Sequence, residues 1–276
     1  MLNKSVREII ERDSVTKCAS IFDPLSARMA CEIGFEVGIL GGSVASLQAL
    51  GAPDVFLLTL NELVSQTRKI CRVSELPMIV DGDSGYGSVL NVMRTIEELE
   101  HAGASLITLE DTIIPKPRGT TQAALYPIDE ACAKLKAALD ARKNTETAIF
   151  ARTHADQPTE EMVKRIKAYA HTGVDGICLF GCTNRDRLAT WANECDLPIM
   201  LISYGEPDLG TDDELANLNV KIRFSGHSGF EDAVRATYLS LQQQFSQGML
   251  GSNESGKELI ARFSEQGRFK QLEAKY

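Results

Sequence analysis

No stretch of this chain is apolar for long enough to cross a bilayer, and the first eight residues hold no apolar signal region. The expectation is a cytoplasmic protein with no membrane partner. Positive charge is scarce: 29 lysines and arginines face 38 aspartates and glutamates, for a formal charge of −9. No basic patch is left to displace counterions from phosphates, which argues against a nucleic-acid partner. The seven cysteines are odd in number and include no Cys-x-x-Cys pair. Neither a disulfide framework nor a zinc site is expected, and a reducing compartment fits. Cys178 and Cys182, four apart around a strand end, read as small core residues. Also missing is a Gly-x-Gly-x-x-Gly opening the first helix, which an open dinucleotide-binding sheet would want.

What is present is a rhythm. At 276 residues with 43% hydrophobic content, the chain can bury one large core. Short apolar runs recur at 18–22, 37–40, 78–80, 106–109, 148–151, 176–180, 199–202 and 220–224. Most are nearly continuous, as strands covered on both faces should be; the last alternates and is expected to be less covered. Between them lie segments of helical period. Residues 91–103 place Val92, Ile96 and Leu99 on one face and end at Gly103; 159–173 does the same with Met162, Ile166 and Tyr169 behind an expected Thr159 cap. Eight such units predict an α/β fold, a closed (β/α)8 TIM barrel. The stretch 112–127 is too long and too rich in Pro and Gly for a plain connection and reads as a lid. We expect the barrel over 1–245, then a linker near 246–256 and a C-terminal helical extension of the same domain to 276.

The most informative segment is 76–87, Leu-Pro-Met-Ile-Val-Asp-Gly-Asp-Ser-Gly-Tyr-Gly. A buried run ends there in two carboxylates, Asp81 and Asp83, inside a glycine-rich turn. Two hard oxygen donors suit a divalent cation. The plainer reading is that they make turns or cap the helix starting near Val89.

In a parallel barrel all strands finish at one face, where active sites sit. The residues that follow the runs are Asp23, Gly41-Gly42-Ser43, Asp81 with Asp83, Glu110 with Asp111, Arg152, Gly181, Ser203-Tyr204 and Gly226-His227-Ser228. Only the sixth strand contributes nothing with obvious chemistry. Singly each has an ordinary explanation: an ion pair for Arg152, a cap for His227, a tight turn for Gly41-Gly42. Together they support a specific chemistry. Asp81 would bind Mg²⁺, or Mn²⁺ in its place, while Asp83 and Glu110 hold the ion's waters. The Gly41-Gly42-Ser43 turn would offer N–H groups and a hydroxyl to the carbonyl oxygen of a small 2-oxo acid. Arg152 would take the substrate carboxylate. His227 and Tyr204 are both candidates for holding the far carboxylate or delivering a proton.

These motifs resemble the isocitrate lyase/phosphoenolpyruvate mutase superfamily from about residue 22 to 241. The marks are Asp23-Pro-Leu-Ser-Ala-Arg28, Gly41-Gly-Ser43, Asp54, Asp81-Gly-Asp-Ser-Gly-Tyr-Gly87, Leu109-Glu-Asp111, Ala151-Arg152 and Gly173-Val-Asp-Gly-Ile177. Residues 39–48, 91–95, Glu110-Asp-Thr112 and Gly226-His227 are most similar to the bacterial oxaloacetate decarboxylase branch. The resemblance implies a lyase that carries out Mg²⁺-dependent β-decarboxylation of oxaloacetate to pyruvate and CO₂. It implies Asp81 as metal ligand, with Asp54 joining Asp83 and Glu110 in the shell behind it. Ser43, Arg152 and His227 are implied as substrate contacts. It further implies a homotetramer, a dimer of dimers, with the last helices exchanged between subunits.

Departures narrow the choice. The Lys-Lys-Cys-Gly-His loop of the isocitrate and methylisocitrate lyases is absent, since 112–127 holds no cysteine or histidine. The phosphonomutase lid reads Lys-x-Asn; here it is Lys116-Pro117-Arg118. Gly82 stands where relatives usually carry alanine. A sister 2-oxo acid lyase or a phosphonopyruvate-type enzyme is the alternative activity, and a binding or scaffold barrel the alternative class.

Overall fold

Strands with apolar side chains on both faces need cover on both, and parallel pairing with helical returns supplies it. The computed structural model describes residues 5–114, 124–205, 207–246 and 253–275. In it the eight runs become β1 (Thr16–Ser20), β2 (Val37–Leu40), β3 (Met78–Asp81), β4 (Leu106–Glu110), β5 (Ala148–His154), β6 (Gly176–Phe180), β7 (Ile199–Ser203) and β8 (Val220–Ser225). Each pairs in parallel with the next, and β8 closes on β1. The expected TIM barrel is the fold.

β1 begins and ends two residues earlier than the apolar run suggested. Ile21 still donates its N–H to Ile39, but the chain then turns at Phe22–Asp23 into α2 (Pro24–Ile33). Ser20, not Asp23, therefore finishes the strand. β8 is better covered than its alternation implied: Val220, Lys221, Ile222 and Phe224 are all buried, with the Lys221 ammonium near Asp13.

Ile39, Ile79, Leu106, Phe150, Met200, Ile222 and Phe224 fill the barrel interior. Helix α1 (Val6–Ile10) adds Val6, Ile9 and Ile10 to that cluster. Arg7 fastens it by donating to the carbonyls of Thr145 and Thr147 and pairing with Asp175 at 2.6 Å. These partners lie just before β5 and β6, so α1 plugs the end where the strands begin. The opposite end, where the strands finish, is not covered by α1.

Outside run α3 (Gly42–Leu50), α4 (Leu60–Cys71), α5 (Val89–Ala102), α6 (Ile128–Ala141), α7 (Thr159–Ala170), α8 (Arg185–Ala192) and α9 (Asp212–Ala216). α5 buries Val92, Ile96 and Leu99 and stops at a left-handed Gly103, as its pattern predicts. α7 buries Met162, Ile166 and Tyr169, but Thr159 is not its cap. Pro158 holds that place with extended backbone, making Thr159 the first helical residue with no side-chain capping bond.

Beyond β8 come α10 (Ser228–Ser246), α11 (Gly256–Phe263), which packs on α10, and α12 (Gln266–Lys275). The two ends of the expected lid are joined by a Thr112–Leu125 bridge. Its middle, with Lys116-Pro117-Arg118, and most of the 246–256 linker lie outside the described residues. Among the described residues no helix is long and apolar enough to cross a membrane. All seven cysteines are free thiols.

Candidate active site

β3 delivers Asp81 to the open end, and the chain then turns sharply with Asp83 at φ 45° and Tyr86 at φ 59°. Left-handed backbone is tolerable for an aspartate and unfavourable for a tyrosine, so the turn must be held. Gly82 donates to Thr108 O at 2.9 Å, Asp83 N to Asp81 Oδ1 at 3.2 Å, and Glu110 N to Asp83 O at 2.8 Å. The turn is thereby locked to β4 and brings Glu110 beside it. Neither aspartate caps a helix. Ser88 does that for α5, its N–H and hydroxyl both bonded to Asn91. The capping explanation of Asp81 and Asp83 fails.

Four carboxylates gather here. A Cβ placed on Gly42 would lie 3.4 Å from Asp83 Oδ1 and 3.7 Å from both Asp54 Oδ2 and Asp81 Oδ2. Those oxygens are thus within about 7 Å of one another, where two charges repel by about 2 kcal/mol at an effective dielectric of ~20. The ionisation of the group responds. Burial, reinforced by Asp81 and opposed by Arg152, pushes Asp54 up to about 6. Burial lifts Glu110 to about 7 despite Arg152, with Asp81 adding to the rise. Asp83 is pushed well above the carboxylate range by burial and then by Asp81, Asp54 and Glu110.

One guanidinium answers them. Arg152, on β5, places Nη1 2.5 Å from Asp81 Oδ2 and Nη2 3.3 Å from Glu110 Oε2. Burial works against its charge, but Asp81 and Glu110 more than offset it and hold its pKa well above the ordinary value. Its Nε is buried without a hydrogen-bond partner. The ion pair that the sequence offered as the ordinary explanation of Arg152 is present, so two of its nitrogens are already engaged.

α3 begins at Gly42 with Gly41 as N-cap and no side-chain cap, so its first N–H groups face the mouth unsatisfied. A Cβ on Gly41 would meet His227 Nε2 at 2.9 Å, which shows how closely the imidazole lies on this turn. His227 follows β8 and is buried; burial drives its pKa down to about 4, opposed by Asp81. Ser20 Oγ lies 2.7 Å from its Nδ1. Tyr204 stands half exposed beside the imidazole, its pKa raised by partial desolvation and opposed by Ser43 and Arg152. A cavity of about 480 Å³, lined in part by Ser43, Asp54, Tyr204, His227 and Lys257, leads from this cluster toward α11.

Asp54, Asp81, Asp83, Glu110, Arg152, Gly41, Gly42, Ser43, Tyr204 and His227 therefore share one end of the barrel. Two residues expected at the mouth do not serve it. Asp23 caps α2 by accepting from Ser26 N. Asp111 turns outward, where its Oδ2 accepts from Thr153, Arg165 and Tyr169. Two residues were missed. Ser20 was hidden by the shifted end of β1. The sixth strand does contribute: Phe180 packs under the Arg152 guanidinium at 4.8 Å and edges onto His154 and Tyr204.

The donor set suits a hard divalent cation. Carboxylate oxygens alone crowd the turn, and with all four ionised Arg152 leaves three negative charges uncompensated. Among the described residues no three of His, Cys, Asp or Glu form a ready metal cage. An ion such as Mg²⁺, which keeps several waters and takes one or two carboxylates directly, requires none.

The phosphoenolpyruvate phosphomutase family model matches residues 6–245. Oxaloacetate decarboxylase 1 of Pseudomonas fluorescens (strain Pf0-1) is 45% identical over 265 residues, covering 96% of this chain and 92% of that protein. Oxaloacetate decarboxylase of Chromohalobacter salexigens is 44% identical over 276 residues, covering 100% and 96%. Among solved structures, phosphonopyruvate hydrolase in complex with oxalate and Mg²⁺ superposes with a TM-score of 0.77 at 26% identity, covering 99% of this chain and 98% of that one.

Proposed function

The chain belongs to the phosphoenolpyruvate phosphomutase family, and from that membership and its acid-ringed mouth we propose that it decarboxylates oxaloacetate to pyruvate and CO₂. The observation that carries the reading is the set of four carboxylates and one guanidinium packed against the bare N-terminus of α3. Mg²⁺ is the proposed cation, with Mn²⁺ able to replace it. Asp81 would ligate it directly, and Asp54, Asp83 and Glu110 would hold its waters. Such an ion supplies positive charge opposite the ketone of the substrate and balances the acids around it.

The chain's own residues do the rest. Arg152 would turn Nε and its remaining N–H groups to the C1 carboxylate. As the C3–C4 bond breaks, its electron pair moves toward the C2 oxygen and CO₂ leaves. The N–H groups at Gly42 and Ser43 and the Ser43 hydroxyl donate to that oxygen as it gains charge. His227, neutral at physiological pH, would bind the far carboxylate as a hydrogen-bond donor. Tyr204, a phenol that carries its proton at physiological pH and stands half exposed at the mouth, is the better candidate to protonate C3 and yield pyruvate.

We extend the proposal to assembly. On α2, Leu25, Met29 and Ile33 lie one turn apart and are 56–75% exposed, beside a groove of about 630 Å³. Leu241 and Phe245 of α10 are likewise exposed. Exchange of the C-terminal helices within a homotetramer would cover both surfaces. On this reading 1–245 is the catalytic barrel, 246–276 extends it, and the unpaired thiols suit the cytoplasm.

A substrate panel tests the activity. With Mg²⁺ present, oxaloacetate should release pyruvate well above the metal-only background, while phosphonopyruvate and 2,3-dimethylmalate should not turn over comparably. Preference for either of those would replace oxaloacetate with the sister chemistry.

A further inference from the structure

His227 sits with its two ring nitrogens in different company. Nε2 points onto the Gly41–Gly42 turn, so close that a methyl on Gly41 would stand 2.9 Å away. Nδ1 faces the hydroxyl of Ser20 at 2.7 Å. Phe224, at 5.0 Å between ring centroids, and Tyr204, at 6.0 Å, flank the ring, and its backbone carbonyl is fixed by the N–H groups of Phe230 and Glu231. The side chain thus has little freedom to swing, but a neutral imidazole can still carry its proton on either nitrogen.

The hydroxyl decides between them. If Ser20 donates to Nδ1, both the O–H and the ring lone pair are satisfied by one bond. If instead Nδ1 donates, no described residue accepts the Ser20 hydrogen, which is left to the solvent of the groove that Ser20 lines. The occupant of the mouth points the same way. A 2-oxo dicarboxylate presents only acceptors, and an Nε2 lone pair aimed at one would repel it. A carboxylate in place of Ser20 would also fix the ring, but would favour the imidazolium form.

We propose that Ser20 is a positioning residue whose hydroxyl donates to His227 Nδ1 and so holds the ring as the Nε2–H tautomer, a neutral donor aimed at a substrate oxygen. The proposal rests on the mouth being the site for an anionic oxo acid. It gives β1 a role in the chemistry that the strand's sequence does not advertise.

The ring can be read directly. In magic-angle-spinning ¹⁵N spectra of [¹⁵N-His] holoenzyme with Mg²⁺ and oxalate, His227 should show an acceptor-type Nδ1 and a protonated Nε2. The chain has only four histidines, and His227→Gln assigns the signals by deletion. Ser20→Ala should mix the tautomers and lower kcat/KM for oxaloacetate about 5- to 30-fold, what one orienting hydrogen bond is worth. Ser20→Thr keeps the hydroxyl and should restore both readouts. A protonated Nδ1 in the unmodified protein, or a Ser20→Ala ring spectrum identical to it, overturns the proposal. If no variant acts on oxaloacetate, the functional reading fails, while the spectra still decide the role of Ser20.

Discussion

Arg152 Nη1 reaches across the barrel mouth from β5 to Asp81 Oδ2 at the end of β3, a contact of 2.5 Å between residues 71 apart in the chain. The pair looks like a structural ion pair until its surroundings are counted. Asp54, Asp83 and Glu110 stand around it with their pKa values raised, so one guanidinium is shared among four acids. Such a cluster is poorly balanced on its own and well balanced by a divalent ion.

The Asp81→Ala protein should lose roughly a thousandfold or more in oxaloacetate turnover, since it lacks the direct ligand and the charge stabilisation that depends on it. It should still fold, because the Asp81 side chain packs at the mouth and not in the barrel core. Circular dichroism and a melting curve next to the rate assay check both halves. Unfolding of Asp81→Ala would mean that the carboxylate serves the fold.

Protons and the cation should compete. Asp54, Asp83 and Glu110 have folded pKa values above their unfolded ones, so the metal-free protein binds protons more tightly folded than unfolded. The stability this gives is full below their ordinary values near 4; it disappears for Asp54 and Glu110 as pH rises through about 6 and about 7, and for Asp83 as pH rises through its own raised value. His227 has the opposite sign: its pKa is lowered to about 4, so it costs stability as pH falls below 6.5. Three acids outweigh one imidazole. In EDTA the protein should melt higher at pH 6 than at pH 8, and saturating Mg²⁺ should raise Tm more at pH 8. A metal-induced shift of equal size at both pH values would contradict this.

The two glycines before Ser43 should respond differently to alanine. At Gly41 the new methyl would press on the His227 ring at 2.9–3.0 Å and displace it, so kcat/KM should fall by a hundredfold or so. At Gly42 it would make ordinary contacts of 3.4–3.7 Å with three carboxylate oxygens. That variant should keep its imidazole environment but bind Mg²⁺ more weakly, by several-fold, because the methyl occupies space the ion's waters need. Kinetics and Mg²⁺ titration of the two variants separate these effects.

Much of this was legible in the chain, and the exceptions have a common cause. Continuous apolar runs ending in Asp81, Glu110 and Arg152, and an alternating one shortly before His227, identified both barrel and mouth, because a parallel barrel brings every strand end to one rim. Apolar content does not locate the last residue of a strand, however. Ile21 and Phe22 read as strand when they lead into α2, which hid Ser20 and promoted Asp23, a helix cap. Glu110 and Asp111 are adjacent and chemically alike, yet in extended backbone they face opposite ways. Phe180 was passed over because an aromatic ring at a strand end looks like core until Arg152 is seen above it.

Subunit exchange predicts that an acid on the α2 stripe breaks the assembly. Met29→Asp, at a position 56% exposed, should leave the barrel folded but shift the mass measured by light scattering from tetramer toward smaller species. An unchanged mass would mean that another surface holds the oligomer, and a monomeric parent protein would remove the proposal altogether.

The central claim concerns where the ion sits, and anomalous diffraction from crystals grown with Mn²⁺ and oxalate measures it. The account predicts one strong peak in direct bonding contact with an Asp81 oxygen and with oxalate, and waters between that peak and Asp54, Asp83 and Glu110. No peak at the barrel mouth, or a peak ligated by other residues, would contradict it.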